Sequence, residues 1–188
     1  MRKVEPIRDT DDIERMKDYL KSKNERDYVM MVTGLYSGMR VSDILPLKVR
    51  SVKGTHIEVT ERKTGKTKRF AINPALRKAL DHYIKENELK DYDYLFPSRK
   101  KVSNEGLRIT HIGRVAAYQI LRDAGEHIGL TNIGTHSMRK TFGYHHYRKN
   151  QNVGILMELF NHSSPDITLK YIGINQDELD DSMMKFRY

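Results

Sequence analysis

Apolar residues recur with helical spacing along most of the chain, and the spacing changes once. After Asp9, Thr10 and Asp11, the residues Ile13, Met16 and Leu20 fall on one face, which predicts a capped amphipathic helix. Residues 26–37 are denser in apolar groups, with Tyr28, Val29, Met30, Met31, Val32, Leu35 and Tyr36. That density predicts a helix buried on most sides, ended by Ser37-Gly38. A short helix follows through Ser42-Asp43-Ile44-Leu45 and stops near Pro46. Between 49 and 72 the period becomes two. Ile57 and Val59 alternate with polar neighbours, as do Phe70 and Ile72, and Thr64-Gly65 separates the runs.

Helical spacing then returns. Asn73 caps and Pro74 opens a helix carrying Leu76, Leu80, Tyr83 and Ile84. Residues 91–101 read as a loop around Pro97. Thr110 opens a helix with Ile112, Val115, Ala116 and Ile120, and Thr135 caps another that runs to about Lys149. Val153–Phe160 is a further helix, Ser164-Pro165 starts a short one carrying Tyr171, and 176–184 forms a weakly amphipathic tail. The fold class expected is α+β, mainly α-helical, with a small antiparallel β-sheet near residues 49–72. With 188 residues and no repeat, low-complexity tract or linker, residues 1–188 make one compact domain.

Composition narrows the partners. The formal net charge is +9, which favours a polyanion, either nucleic acid or an anionic membrane surface. No apolar run approaches a membrane span, and the N-terminus lacks a signal-like apolar core. The chain has no cysteine, so disulfides, thiolate zinc sites and a cysteine nucleophile are excluded. That absence fits a reducing cytoplasm.

Five features carry chemistry, and each has an ordinary reading when taken alone. In Ser37-Gly38-Met39-Arg40, an arginine follows a helix-ending glycine. Its fork can hold two phosphate oxygens, or it is a partly buried group paired with Asp43. In Thr135-His136-Ser137-Met138-Arg139, the His and Arg share one face in the first turn of a helix, where backbone N–H groups favour an anion. A solvated face is the plainer account. In Phe160-Asn161-His162, a polar His follows a helix end, where an Asn tolerates the left-handed conformation. Tyr171 stands nine residues after His162 and is one of eleven tyrosines. Lys63 lies beside the turn Thr64-Gly65, where it can swing onto a substrate or simply solvate a hairpin tip.

Two other motifs fail. Gly65-Lys66-Thr67 looks like the end of a P-loop, but position 60 is Thr where the first Gly belongs, and a strand follows instead of a helix. The eight histidines show no metal-ligand spacing.

Together the five features resemble the catalytic domain of the tyrosine recombinases, the phage integrase family. That family's ordered pattern is Arg, Lys, His-x-x-Arg, His or Trp, then Tyr. It is matched by Arg40, Lys63, His136 with Arg139, His162 and Tyr171, over residues 5–175. Local context agrees in Thr-His-x-x-Arg-Lys-Thr-Phe, and in His-Ser-Ser followed by Thr168 and Tyr171. Two departures stand out. Asn161 replaces the usual Gly, and Lys66 and Lys68 compete with Lys63.

The resemblance implies a site-specific DNA recombinase that cleaves and rejoins DNA through a 3′-phosphotyrosyl intermediate, without metal, ATP or other cofactor. Tyr171 would be the nucleophile and His136 the general base and acid. Arg40 and Arg139 would clamp the phosphate, His162 would hydrogen-bond it, and Lys63 would protonate the leaving oxygen. The implied partners are double-stranded DNA, further copies of the chain in a tetramer, and accessory DNA-bending proteins. The implied setting is a bacterial cytoplasm, with a bacterial or phage gene. Two alternatives share the fold: a type IB topoisomerase-like strand transferase, and a catalytically silent DNA-binding regulator. The family's N-terminal core-binding domain is expected to be absent, and the tail 172–188 either docks on a neighbour or packs on its own domain.

Overall fold

The computed structural model describes residues 4–60, 65, 67–98 and 110–185. Helix α1 (Thr10–Lys23) is capped by the Asp9 carboxylate, which accepts from Asp11 N. Helix α2 (Glu25–Ser37) is buried on most sides, as its composition predicts, and includes the buried run Val29–Gly34. It ends at Gly38, whose φ of 64° is left-handed. A Cβ there would come within 2.4 Å of the Phe142 ring, so both conformation and contact demand glycine. The one-turn helix α3 (Val41–Ile44) follows.

The sheet is smaller than the period-two region suggests. Residues Val49–Val52 form a 3-10 turn, with Val49 and Val52 fully buried. Among the described residues, the strands that pair are β1 (His56–Thr60) and β2 (Thr67–Ala71), antiparallel, with Ile57 opposite Phe70 and Val59 opposite Lys68. Residues two apart share a face, so Lys68 lies on the face of the buried Phe70.

Helix α4 (Pro74–Glu86) begins as expected, with the Asn73 side chain accepting from Leu76 N. Helix α5 (Arg114–His127) starts four residues later than Thr110 suggests. His111 and Ile112 are instead extended. His111 bridges Pro97, and Ile112 N donates to Phe96 O. Ile112 is therefore buried outside any helix, while Val115 is 83% exposed. The α5 core face is Ala117, Leu121 and Ala124. Helix α6 (Thr135–Asn150) has Gly134, not Thr135, as its N-cap, because Gly134 N donates to the Ser137 hydroxyl. Helices α7 (Val153–Phe160), α8 (Pro165–Ile172) and α9 (Ile174–Lys185) complete the described chain. No helix among the described residues is long and apolar enough to cross a membrane.

The buried residues form two clusters. The larger joins α1 to α6, the sheet and the Leu95-Phe96 segment. The smaller consists of Tyr144, Leu156, Phe160, Ile172 and Ile174. Helix α6 lies between them, giving Met138 to one and Tyr144 to the other.

Candidate active site

The two arginines converge on one carbonyl. Arg40 is set just beyond the left-handed end of α2, and its Nη2 lies 3.4 Å from Phe160 O. Arg139 is placed by α6 one turn after His136. It donates to Gly38 O at 2.7 Å and to Phe160 O at 3.2 Å, and its guanidinium carbon lies 4.2 Å from the Phe160 ring centroid. Arg139 is only 3% exposed. Phe160 is the last residue of α7, so its carbonyl belongs to the partially negative end of a helix. That end holds two cations side by side. The next residue, Asn161, takes the left-handed conformation (φ 56°) that a Gly would otherwise supply.

Tyr171 reaches the same place from α8. Its hydroxyl is 3.3 Å from His136 Nδ1. Its ring meets Phe160 edge-on at 5.7 Å and His162 at 5.2 Å, and the Lys140 ammonium lies 5.2 Å from its centroid. Burial pushes the Tyr171 phenol above its usual value. The nearby charges of Arg139 and Arg40, and a hydrogen bond from Arg139, oppose that rise without cancelling it. The resting phenol is therefore protonated at neutral pH. His162 Nδ1 lies 3.1 Å from the Thr168 hydroxyl.

Arg40, His136 and Arg139 line an open cleft of about 670 Å³ together with Ser42, His111 and Arg114. Sequence reading missed His111 and Arg114. Both lie in the stretch read as helix from Thr110, so nothing marked them as neighbours of Arg40. A second groove carries His162, Asn161 and Lys68. Lys68 donates to Glu158 O and Leu159 O at 2.6 and 2.8 Å, bracing the last turn of α7 from the sheet. Lys63, the expected general acid, and its competitor Lys66 lie outside the described residues. Of the expected site, the structure thus brings together Arg40, His136, Arg139, His162 and Tyr171.

Residues 8–178 match the model of the phage integrase family. The chain belongs to the phage integrase family. It is 43% identical over 178 residues to the Bacillus subtilis protein YoeC, described as a probable integrase/recombinase, covering 93% of this chain and 92% of that one. A tyrosine recombinase of Pseudothermotoga lettingae is 28% identical over 87% of this chain, which spans only 54% of that protein. Several further curated relatives of the family are likewise matched over about half their length. Among solved structures, XerA recombinase superposes with a TM-score of 0.71 over 98% of this chain and 65% of that one, at 24% identity. The catalytic domain of bacteriophage HP1 integrase does so with a TM-score of 0.60 over 97% and 95%, at 19% identity. These establish the fold as that of a tyrosine recombinase catalytic domain. By family the chain is a site-specific recombinase of the tyrosine type.

Proposed function

We propose that this chain cleaves and rejoins double-stranded DNA with Tyr171 as nucleophile. The observation that carries the reading is the Tyr171 hydroxyl 3.3 Å from His136 Nδ1, beside a cleft lined by Arg40 and Arg139. A buried phenol needs a base to attack, and an imidazole nitrogen at that distance is within reach. The phenol oxygen attacks phosphorus as His136 takes its proton, and the bond to the 5′-oxygen breaks. Arg40 and Arg139 meet the non-bridging oxygens, replacing or sharing their bonds to Phe160 O as negative charge grows. His162 donates to the same phosphate, and Lys63 protonates the departing 5′-oxygen. The 3′-phosphotyrosyl bond keeps the ester's energy, so a 5′-hydroxyl from a second duplex can reverse the step without ATP.

The fold neighbours include XerH bound to difH substrate in a post-cleavage complex and a lambda integrase dimer bound to a core site. They support duplex DNA as the partner here. Assembly of four protomers on DNA, aided by DNA-bending proteins, is part of the same proposal. Met183 and Met184 are 76% and 82% exposed near the end of α9, which suits a tail that packs on a neighbouring protomer. Arg114 and His111 extend the positive cleft and are assigned to flanking phosphates.

The test is a nicked DNA carrying the cognate site, on which cleavage traps a covalent adduct. Wild type is expected to form it and Tyr171→Phe is not. An equal adduct on the Phe variant removes Tyr171 from the chemistry. DNA binding without any adduct favours the silent regulator. Relaxation of a supercoiled plasmid lacking the site favours the topoisomerase-like strand transferase.

A further inference from the structure

Thr168 lies on α8 one turn before Tyr171 and is fully buried. Its hydroxyl has two neighbours, Ser164 O at 3.2 Å and His162 Nδ1 at 3.1 Å. A threonine hydroxyl carries one hydrogen, and a carbonyl oxygen can only accept. Threonines in helices habitually donate to the carbonyl four residues earlier, and Ser164 is four residues earlier. The hydroxyl hydrogen thus goes to Ser164 O, and an oxygen lone pair faces His162. For that contact to be a hydrogen bond, Nδ1 must carry the hydrogen. A neutral imidazole has a single N–H, so its Nε2 then bears a lone pair. Against a phosphate oxygen, that ring would meet lone pair with lone pair. It can donate through Nε2 only as an imidazolium.

We propose that Thr168 is a positioning residue that holds His162 in the Nδ1–H tautomer, so that His162 engages the scissile phosphate as a cation. This rests on the reading of His162 as a phosphate ligand. The protein then meets the phosphate with a third positive charge beside Arg40 and Arg139, and a charge-assisted bond is roughly twice as strong as a neutral one. The groups around His162 are mixed in sign. The Tyr171 and Phe160 rings lie against it, and Lys68, Arg69 and Glu158 line its groove. The phosphodiester's own negative charge supplies the pull that keeps the ring protonated.

The direct test is a long-range 15N–1H spectrum of the DNA-free chain above the imidazole titration range, with His162 assigned through His162→Gln. Wild type and Thr168→Ser are expected to show the Nδ1–H tautomer, and Thr168→Val to shift towards Nε2–H. Single-turnover cleavage against pH gives the second readout. Wild type should rise as His136 loses its proton and fall as His162 does. Thr168→Val should lose on the order of tenfold near neutral pH and flatten the alkaline limb, and Ser should restore both. Should the valine variant not fold, wild type and the serine variant still decide the tautomer. An Nε2–H ring in a wild-type chain that cleaves DNA overturns this proposal alone. So does a folded valine variant with the wild-type pH profile. A wild-type chain with the Nδ1–H ring that forms no adduct overturns the reading of the site, and the phosphate role of His162 with it.

Discussion

The two halves of the active site stand on very different foundations. Arg40 stands just beyond the end of α2 and Arg139 on α6, where α2 is buried in the large core and Gly34 lies against Met138. Tyr171 and His162 sit with the small cluster of Tyr144, Leu156, Phe160, Ile172 and Ile174. Burial of apolar area sets how much a region resists opening, so the receptor for the phosphate is firm and the nucleophile's support is light. Among the contacts that join the halves are the Phe160 carbonyl shared by both arginines, the Lys68 brace, the Tyr171 hydroxyl against His136, the Arg8–Asp177 ion pair and the contact of Gly143 with Ile172 and Phe160. A recombinase must hold one phosphate still while the covalent partner changes, and this division of stability suits that task.

After loss of the nucleophile itself, Arg139→Ala should give the largest effect, because it removes a clamp and a tie between the halves. Adduct formation is expected to fall by about 10²–10³-fold, the usual loss for one preorganised charge donor. Stability should also fall by about 1–3 kcal/mol, read by denaturant melts, because Gly38 O loses its Arg139 donor while Phe160 O keeps Arg40. Arg139→Lys should keep more stability than activity, since a single ammonium cannot reproduce the fork. An alanine variant with wild-type cleavage would break the assignment.

A pair of glycine substitutions sharpens the contrast between the halves. At Gly143, a Cβ would stand 2.6 Å from Ile172 Cγ2 and 2.8 Å from Phe160 Cε2. At Gly34 it would stand 2.6 Å from Met138 Sδ and 2.9 Å from its Cβ. Each overpacking should cost about 1–3 kcal/mol. By amide hydrogen exchange, Gly143→Ala is expected to unprotect α7 to α9 while α2 stays protected, with cleavage reduced. Gly34→Ala should instead lower protection across the large core. Equal loss of protection everywhere in both variants would erase the distinction drawn between the clusters.

The large core also carries a pH signature. Burial, above all, pushes Tyr83 up to about 12, with Asp27 and Glu25 adding to the rise and Arg26 opposing it. Tyr83 is 2% exposed. Its folded value lies above the unfolded one, so its contribution is complete below pH about 10 and is lost as pH rises towards 12. Tyr83→Phe should therefore flatten the decline in stability over that window by about 2 kcal/mol. A parallel decline in both proteins would contradict it. The smallest effect is expected from the ion pair Arg8–Asp177, 2.8 Å long, which ties the start of α9 to the N-terminal segment. Both side chains are partly exposed, so Asp177→Asn should cost no more than about 1 kcal/mol, and less in high salt.

The sequence made the site more legible than the frame around it. Arg40, His136, Arg139, His162 and Tyr171 are marked by type and order, and the structure brings them together. Helix interiors were also readable, because burial imposes a period. Boundaries were less so. Thr110 looks like a cap, but His111 and Ile112 are recruited to pair with Pro97 and Phe96, a tertiary choice with no local signal. The 3-10 turn at Val49–Val52 was hidden because four residues are too short a run to show a period of their own beside the alternation that follows. The shared acceptor at Phe160 was illegible for a deeper reason, since a backbone carbonyl carries no residue identity. Arg114 escaped notice because only the extended entry to α5 turns it towards the cleft.

The central claim is that Tyr171, among eleven tyrosines, bears the DNA. It is tested most directly by digesting the trapped adduct and locating the nucleotide by tandem mass spectrometry. The account predicts a single phosphonucleotide on Tyr171. A nucleotide on Tyr144, Tyr147 or any other residue, with Tyr171 unmodified, would contradict it.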